Sequence, residues 1–224
     1  MAGLRTLCAL SMGCLVLVGC NPASQTQAVR VACVGDSITW GSIIRDRAKN
    51  SYPGQLARQL GQGYVVANFG ASGSFVLRSS PKPFREDPFF ERSMSFQPDI
   101  VVLSVGTNDA KPEIWDNGKR SFYMSLAQLV DSYRQLPEQP RVILALPPPM
   151  FAQKQRGKNL EVSLRPEIKR VAKDMGVELI DLAEPFRGHK ELFWDGIHPN
   201  IQACGMMANT VARSIEKHQD LVKR

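Results

Sequence analysis

The sequence predicts an α/β domain, a flavodoxin-like three-layer sandwich around a five-stranded parallel sheet. Three observations carry this. Short apolar runs alternate along the chain with segments of helical period, the pattern of βαβ units. Two of the runs, residues 100–105 and 142–146, are apolar throughout but for Ser104, as expected of strands buried on both faces. The 224 residues, 43% hydrophobic and 22% charged, suffice for one full core and lack the bias of disordered, collagenous or polytopic membrane chains.

Each element has a local reason. Residues 1–20 carry one charge, Arg5, then an apolar run from Leu7 to Val18 that ends Val18-Gly19-Cys20. This is the anatomy of a signal segment, too short for a stop-transfer span. It resembles a bacterial lipoprotein signal, which implies cleavage before Cys20 and lipidation of its thiol. Several acyl chains, at ~0.8 kcal/mol per buried CH₂, would hold the chain to a membrane. The expectation is a signal over 1–19, a flexible tether over 20–28 and one domain over 29–224, exported and anchored in the cell envelope. Residues 29–35 read as the first strand. The spacing of Leu56 and Leu60, with Gly61 as a stop, predicts a helix over 52–60. A short strand follows over 64–68. Residues 70–98 carry four Pro and read as a loop with one short helix, placed to wall a site. Beyond the strand over 100–105, the stripe Phe122, Leu126, Leu129, Val130 and Tyr133 predicts a helix over 121–136. The strand over 142–146 is stopped by Pro147-Pro148-Pro149. A helix over 160–175 is closed by Gly176, a strand spans 177–182, and Asn200 caps a last helix over 201–218.

Charge and cysteine exclude several functions. The formal net charge is +7, but no basic run is interleaved with aromatics, so a nucleic-acid partner is not expected. The charge suits an anionic cell envelope. Of five Cys, Cys8 and Cys14 leave with the signal and Cys20 takes lipid. Cys33 and Cys204 read as small buried hydrophobes, a disulfide being the alternative. The three His (His189, His198, His218) are scattered without ligand spacing, so neither a metal nor another cofactor is implied.

The chemistry gathers at the strand ends. Gly35-Asp36-Ser37-Ile38-Thr39 follows the first strand, Asn68-Phe69-Gly70 ends the second, and Gly106-Thr107-Asn108-Asp109 follows the third. Asp195-Gly196-Ile197-His198-Pro199 comes after the fifth. Open α/β sheets place their sites at this edge. A Ser, a Gly turn, an Asn and an Asp/His pair together form an inventory for acyl transfer. Each tetrad member alone has a bland reading: helix cap, turn glycine, Asx turn, structural His. Gly70-Ala71-Ser72-Gly73-Ser74 narrowly misses the Gly-x-Ser-x-Gly elbow, since Ser74 is not Gly.

In this order, the four blocks resemble the SGNH hydrolases, or GDSL-type esterases, over nearly the whole chain beyond the tether. The resemblance implies Ser37 as nucleophile, His198 as base and Asp195 as its orienting carboxylate. It also implies an oxyanion hole from the N–H groups of Ser37 and Gly70 and the side-chain amide of Asn108. Physically, the Ser hydroxyl needs a base, the imidazolium needs a counter-charge, and the tetrahedral oxygen needs preorganised donors. The blocks look most like the carbohydrate O-acetylesterase branch, so a glycan or small-molecule ester is the expected substrate. A lysophospholipase or thioesterase on the same machinery is the alternative, as is a catalytically silent envelope-binding protein. Trp40, Phe75 and Trp194 are the pocket candidates, with Met150 and Phe151 also possible walls. Arg45, Arg78, Arg156 and Arg187 read as solvated surface rather than glycan contacts.

Overall fold

The computed structural model describes residues 27–218; the signal segment, Cys20 and most of the tether lie outside them. Strands β1 (Val29–Gly35), β2 (Tyr64–Gly70), β3 (Ile100–Ser104), β4 (Arg141–Leu146) and β5 (Glu178–Asp181) form one parallel sheet in the order β2-β1-β3-β4-β5. Strand order reverses between β1 and β3, which opens a crevice beyond their carboxyl ends. The registers bring those ends level: Gly35 pairs with Gly70 on one side and Ser104 on the other.

Alternation along the strands sorts side chains into two cores. Val31, Cys33, Ile100, Val102, Ile143 and Ala145 pack with helices α3 (Tyr52–Leu60) and α8 (Ile201–Lys217). Ala32, Val34, Val101, Leu103, Val142 and Leu144 face α4 (Pro88–Ser95), α5 (Pro112–Arg134) and α7 (Arg165–Met175). Cys33 and Cys204 are free and buried in the first core, where burial pushes both thiols up to about 12, so they pack as hydrophobes.

Two helices begin earlier than their apolar periodicity suggests. Helix α5 starts at Pro112, nine residues before the expected 121, because Pro at the first position and Glu113 in the first turn suit a helix start. Trp115 and Gly118 extend the buried stripe through that polar stretch, and a Cβ on Gly118 would meet Leu77 at 2.3 Å. The helix expected over 160–175 is preceded by α6 (Lys154–Asn159), which runs into a wide π turn at Leu160–Leu164 before α7. The wider turn slows the rotation of side chains around the axis. Arg156 and Asn159 are therefore buried along with Leu164, Ile168 and Val171.

Candidate active site

Ser37 opens α1 (Ser37–Trp40), directly beyond the end of β1. The Asp36 carboxylate caps this short helix by accepting the Ile38 N–H at 2.9 Å. Burial pushes the Asp36 carboxyl above its ordinary range. The Ser37 N–H makes no hydrogen bond among the described residues, as befits a first-turn donor.

His198 arrives from the loop between β5 and α8, 161 positions further along the chain. Its Nε2 lies 2.9 Å from Ser37 Oγ, and its Nδ1 lies 2.6 Å from Asp195 Oδ2. The second Asp195 oxygen accepts the N–H groups of Ile197 at 2.9 Å and His198 at 2.7 Å, which fixes the carboxylate against the ring. Desolvation works to raise the Asp195 carboxyl. The hydrogen bonds from His198 and from these two N–H groups outweigh it and hold the acid below its ordinary range. The loop is braced from β4's side, where Phe151 and Ala152 both donate their N–H to the Gly196 carbonyl, at 2.7 and 3.0 Å.

Gly70 departs from expectation. Its N–H donates to Asn68 Oδ1 at 2.9 Å and is not free for a substrate. A Cβ there would lie 2.1 Å from the Trp40 backbone nitrogen, so this glycine serves the close approach of β2 to α1. The open donor stands three residues on. Ala71–Ser74 form a type II turn, with the Ser74 N–H on the Ala71 carbonyl at 3.1 Å and Gly73 at φ 78°. Among the described residues, the N–H groups of Ser72 and Gly73 have no partner. The turn is held from both sides: Ser72 Oγ meets Ser42 Oγ at 3.4 Å, and Asn108 Nδ2 donates to the Ser74 carbonyl at 2.9 Å. A Ser-Gly pair within a run of small residues is the signal that could have found it, since only the second central position of a type II turn demands Gly.

Asn108 is buried at the β3 exit, and its Oδ1 accepts from Arg156 Nη2 at 3.0 Å. Arg156, expected on the solvated surface, is 5% exposed. Its neighbour Asp109 is fully buried and accepts the N–H groups of Val76 at 3.0 Å and Leu77 at 2.8 Å, tying the β2–α4 loop to the β3 exit. Burial pushes the Asp109 carboxyl up to about 6, against the lowering effect of those N–H groups. A raised folded-state value favours the protonated native form. Its stabilising contribution is complete below pH ~3.9, where the unfolded acid protonates, and is lost as pH rises through the folded value. The stability advantage of wild type over Asp109→Asn should therefore shrink by ~2 kcal/mol between pH 4 and pH 7. Urea unfolding across that range checks it; a constant difference would contradict the assignment.

Among the pocket candidates, Trp194 is 79% exposed directly beside Asp195, and Phe151, across the braced loops, is 42% exposed. Phe75 is buried next to the Asn108-bound Ser74, with Lys111 Nζ 5.3 Å from its ring. Trp40 instead lines a separate cavity with Arg47, Ser51, Pro53, Val66 and Asn68, its ring 3.7 Å from the Arg47 guanidinium. None of the residues lining that cavity is a member of the Ser37–His198–Asp195 chain. Among the described residues, no group of three or more His, Cys, Asp or Glu could hold a metal ion.

The chain is similar to known proteins both in sequence and in fold. The chain is 35% identical over 215 residues to an acetylxylan esterase of Xylanibacter ruminicola, a match covering 87% of this chain but 45% of that protein, so the chain spans about half its relative's length. The fold superposes on a carbohydrate acetylesterase of Sinorhizobium meliloti with a TM-score of 0.65 at 20% identity, covering 84% of this chain and 99% of that one. It also superposes on the inhibitor-bound aryl esterase of M. smegmatis with a TM-score of 0.67 at 21% identity, covering 85% and 99%. The model of the GDSL-like lipase/acylhydrolase family matches residues 33–203. That span takes in every side chain of the site from Ser37 to His198, and the chain belongs to the GDSL-like lipase/acylhydrolase family.

Proposed function

We propose that the protein is a serine esterase that removes O-acetyl groups from a carbohydrate. The observation that carries the reading is the unbroken chain Ser37 Oγ–His198 Nε2–His198 Nδ1–Asp195 Oδ2, at 2.9 and 2.6 Å. In this mechanism His198 Nε2 takes the hydroxyl proton as Ser37 Oγ attacks the ester carbonyl carbon. Asp195 steadies the imidazolium that results. The carbonyl oxygen becomes an oxyanion that meets the N–H groups of Ser37 and Gly73 and one Nδ2–H of Asn108. Collapse breaks the C–O bond to the sugar, His198 returns the proton to the departing sugar oxygen, and Ser37 is left acylated. Water, deprotonated by His198, then releases acetate and restores the serine.

Two features support the carbohydrate side. The exposed indole of Trp194 stands beside Asp195, and Phe151 stands across the braced loops; an aromatic face is a platform for sugar C–H groups. The name of the Xylanibacter relative supports xylan as the polymer and acetyl as the acyl group. The test is acetate release from acetylated xylo-oligosaccharides beside a p-nitrophenyl ester series of rising acyl length. Turnover should be highest for acetyl, and Trp194→Ala should raise KM for the oligosaccharide about tenfold (about 1.4 kcal/mol) while leaving p-nitrophenyl acetate unaffected. Activity rising toward long chains would replace this reading with a lipid or thioester substrate.

A further inference from the structure

Arg156 and Arg165 are almost equally buried but differently employed. Arg165 grips both oxygens of Asp181, at 2.7 and 2.8 Å, and the Pro147 carbonyl at 2.9 Å, a neutralised structural pair. Arg156 reaches the Thr107 carbonyl with Nε at 3.2 Å and Nη2 at 3.0 Å, and Asn108 Oδ1 with the same Nη2 at 3.0 Å. Among the described residues, it forms no ion pair. A buried guanidinium without a directly paired carboxylate is uncommon, and here Asp36, Glu113, Asp109 and Asp195 act on its charge only from beyond ion-pair distance.

We propose that Arg156 is a positioning residue for ester hydrolysis, locking the Asn108 amide so that its nitrogen faces the oxyanion and placing a guanidinium with no directly paired carboxylate behind that amide. The inference rests on the reading of Asn108 as an oxyanion donor. A guanidinium has donors only, so the Asn108 atom facing it must be the oxygen. The Ser74 carbonyl is an acceptor, so the Asn108 atom facing it must be the nitrogen. The two neighbours dictate the same amide orientation independently. One Nδ2 hydrogen is spent on Ser74, and the second is left for the substrate. Removing Arg156 would leave Oδ1 buried without a partner and the amide held by the Ser74 carbonyl alone, so that it can tilt out of line with the oxyanion. Helix α6 is itself fixed over the β3 exit, because Asn159 Nδ2 donates to the Ala110 carbonyl at 3.0 Å and Gln155 Nε2 holds Asn159 Oδ1 at 2.9 Å. The pull on Asn108 thus comes from a rigid element.

The experiment is a double-mutant cycle on p-nitrophenyl acetate hydrolysis with Arg156→Ala, Asn108→Ala and the pair. Arg156→Ala should lower kcat about 10²-fold with KM little changed, the size of effect expected for losing an oxyanion donor. In the Asn108→Ala background, the same change should lower kcat less than about threefold, because its route of action is gone. Equal losses in both backgrounds would overturn the inference, as would a wild-type kcat for Arg156→Ala. A wild-type kcat for Asn108→Ala alone would instead remove the oxyanion reading on which it rests. Arg156→Lys, which keeps the charge but lacks the planar fork, carries the same cycle if the Ala variant does not fold. It should lose about tenfold in kcat in the parent and nothing further beside Asn108→Ala; no loss, or an undiminished one, would overturn the inference.

Discussion

Replacing Ser37 by Ala should lower kcat for p-nitrophenyl acetate by on the order of 10⁴- to 10⁶-fold while leaving the fold in place. Ser37 is 9% exposed, and among the described residues the hydroxyl removed bonds only to His198. Alanine fits the first turn of α1 at least as well as serine, and Asp36 still caps it. Stability should therefore stay within about 1 kcal/mol of wild type. Activity cannot, because without Oγ there is no acyl-enzyme, and the remaining groups act only on water. The measurement pairs steady-state kinetics with thermal unfolding, and an active-site phosphonate should label wild type but not the variant. Wild-type-like turnover by a folded Ser37→Ala protein would refute the nucleophile.

Gly70→Ala and Gly73→Ala should fail in different ways. At Gly70 the new Cβ would sit 2.1 Å from Trp40 N, 2.6 Å from Trp40 Cα and 2.7 Å from Thr39 C. All three are backbone atoms of α1, with no flexible side-chain end to swing away. Either β2 or α1 must shift, with a loss of stability on the order of 3 kcal/mol and displacement of Ser37 besides. At Gly73 nothing lies within 4 Å of the added carbon. The cost there is the positive φ of 78°, about 1–2 kcal/mol for a residue with a Cβ. The turn would relax, and the catalytic loss should exceed the stability loss. Urea unfolding and kcat per folded molecule separate the two. An equal and mild stability effect at both positions would contradict the division of labour between a packing glycine and a donor glycine.

The sheet was legible in the sequence because parallel strands buried on both faces leave continuous apolar runs, as at Val142–Leu146 of β4. Ser37, Asn108 and the Asp195–His198 pair were legible because polar side chains rarely gather at such strand ends without a task. What escaped depends on partners that only folding supplies. Gly70 and Gly73 look alike as residue types; the difference is whether Asn68 Oδ1 has taken the N–H. Arg156 sits in Lys154–Asn159, which has no apolar period, and is buried because the Thr107 carbonyl and Asn108 Oδ1 come to meet it from the turn beyond β3. The pocket aromatics divided for a similar reason: Trp40 turned to Arg47 and Phe89, while Trp194 remained open to solvent.

The separation of Ser37 from His198 has a thermodynamic consequence. Joining two points 161 residues apart costs ~4.5 kcal/mol of loop-closure entropy in a flexible chain. A hydrogen bond returns only about 0.5–1.5 kcal/mol. The pair cannot draw itself together, and its geometry is inherited from the seven-residue ladder between β1 and β2 and from α8 seated on the sheet. On the proposed reading, hydrolytic activity is therefore a faithful gauge of native structure: a molecule in which β1 or α8 has come away from the sheet no longer brings Ser37 and His198 together.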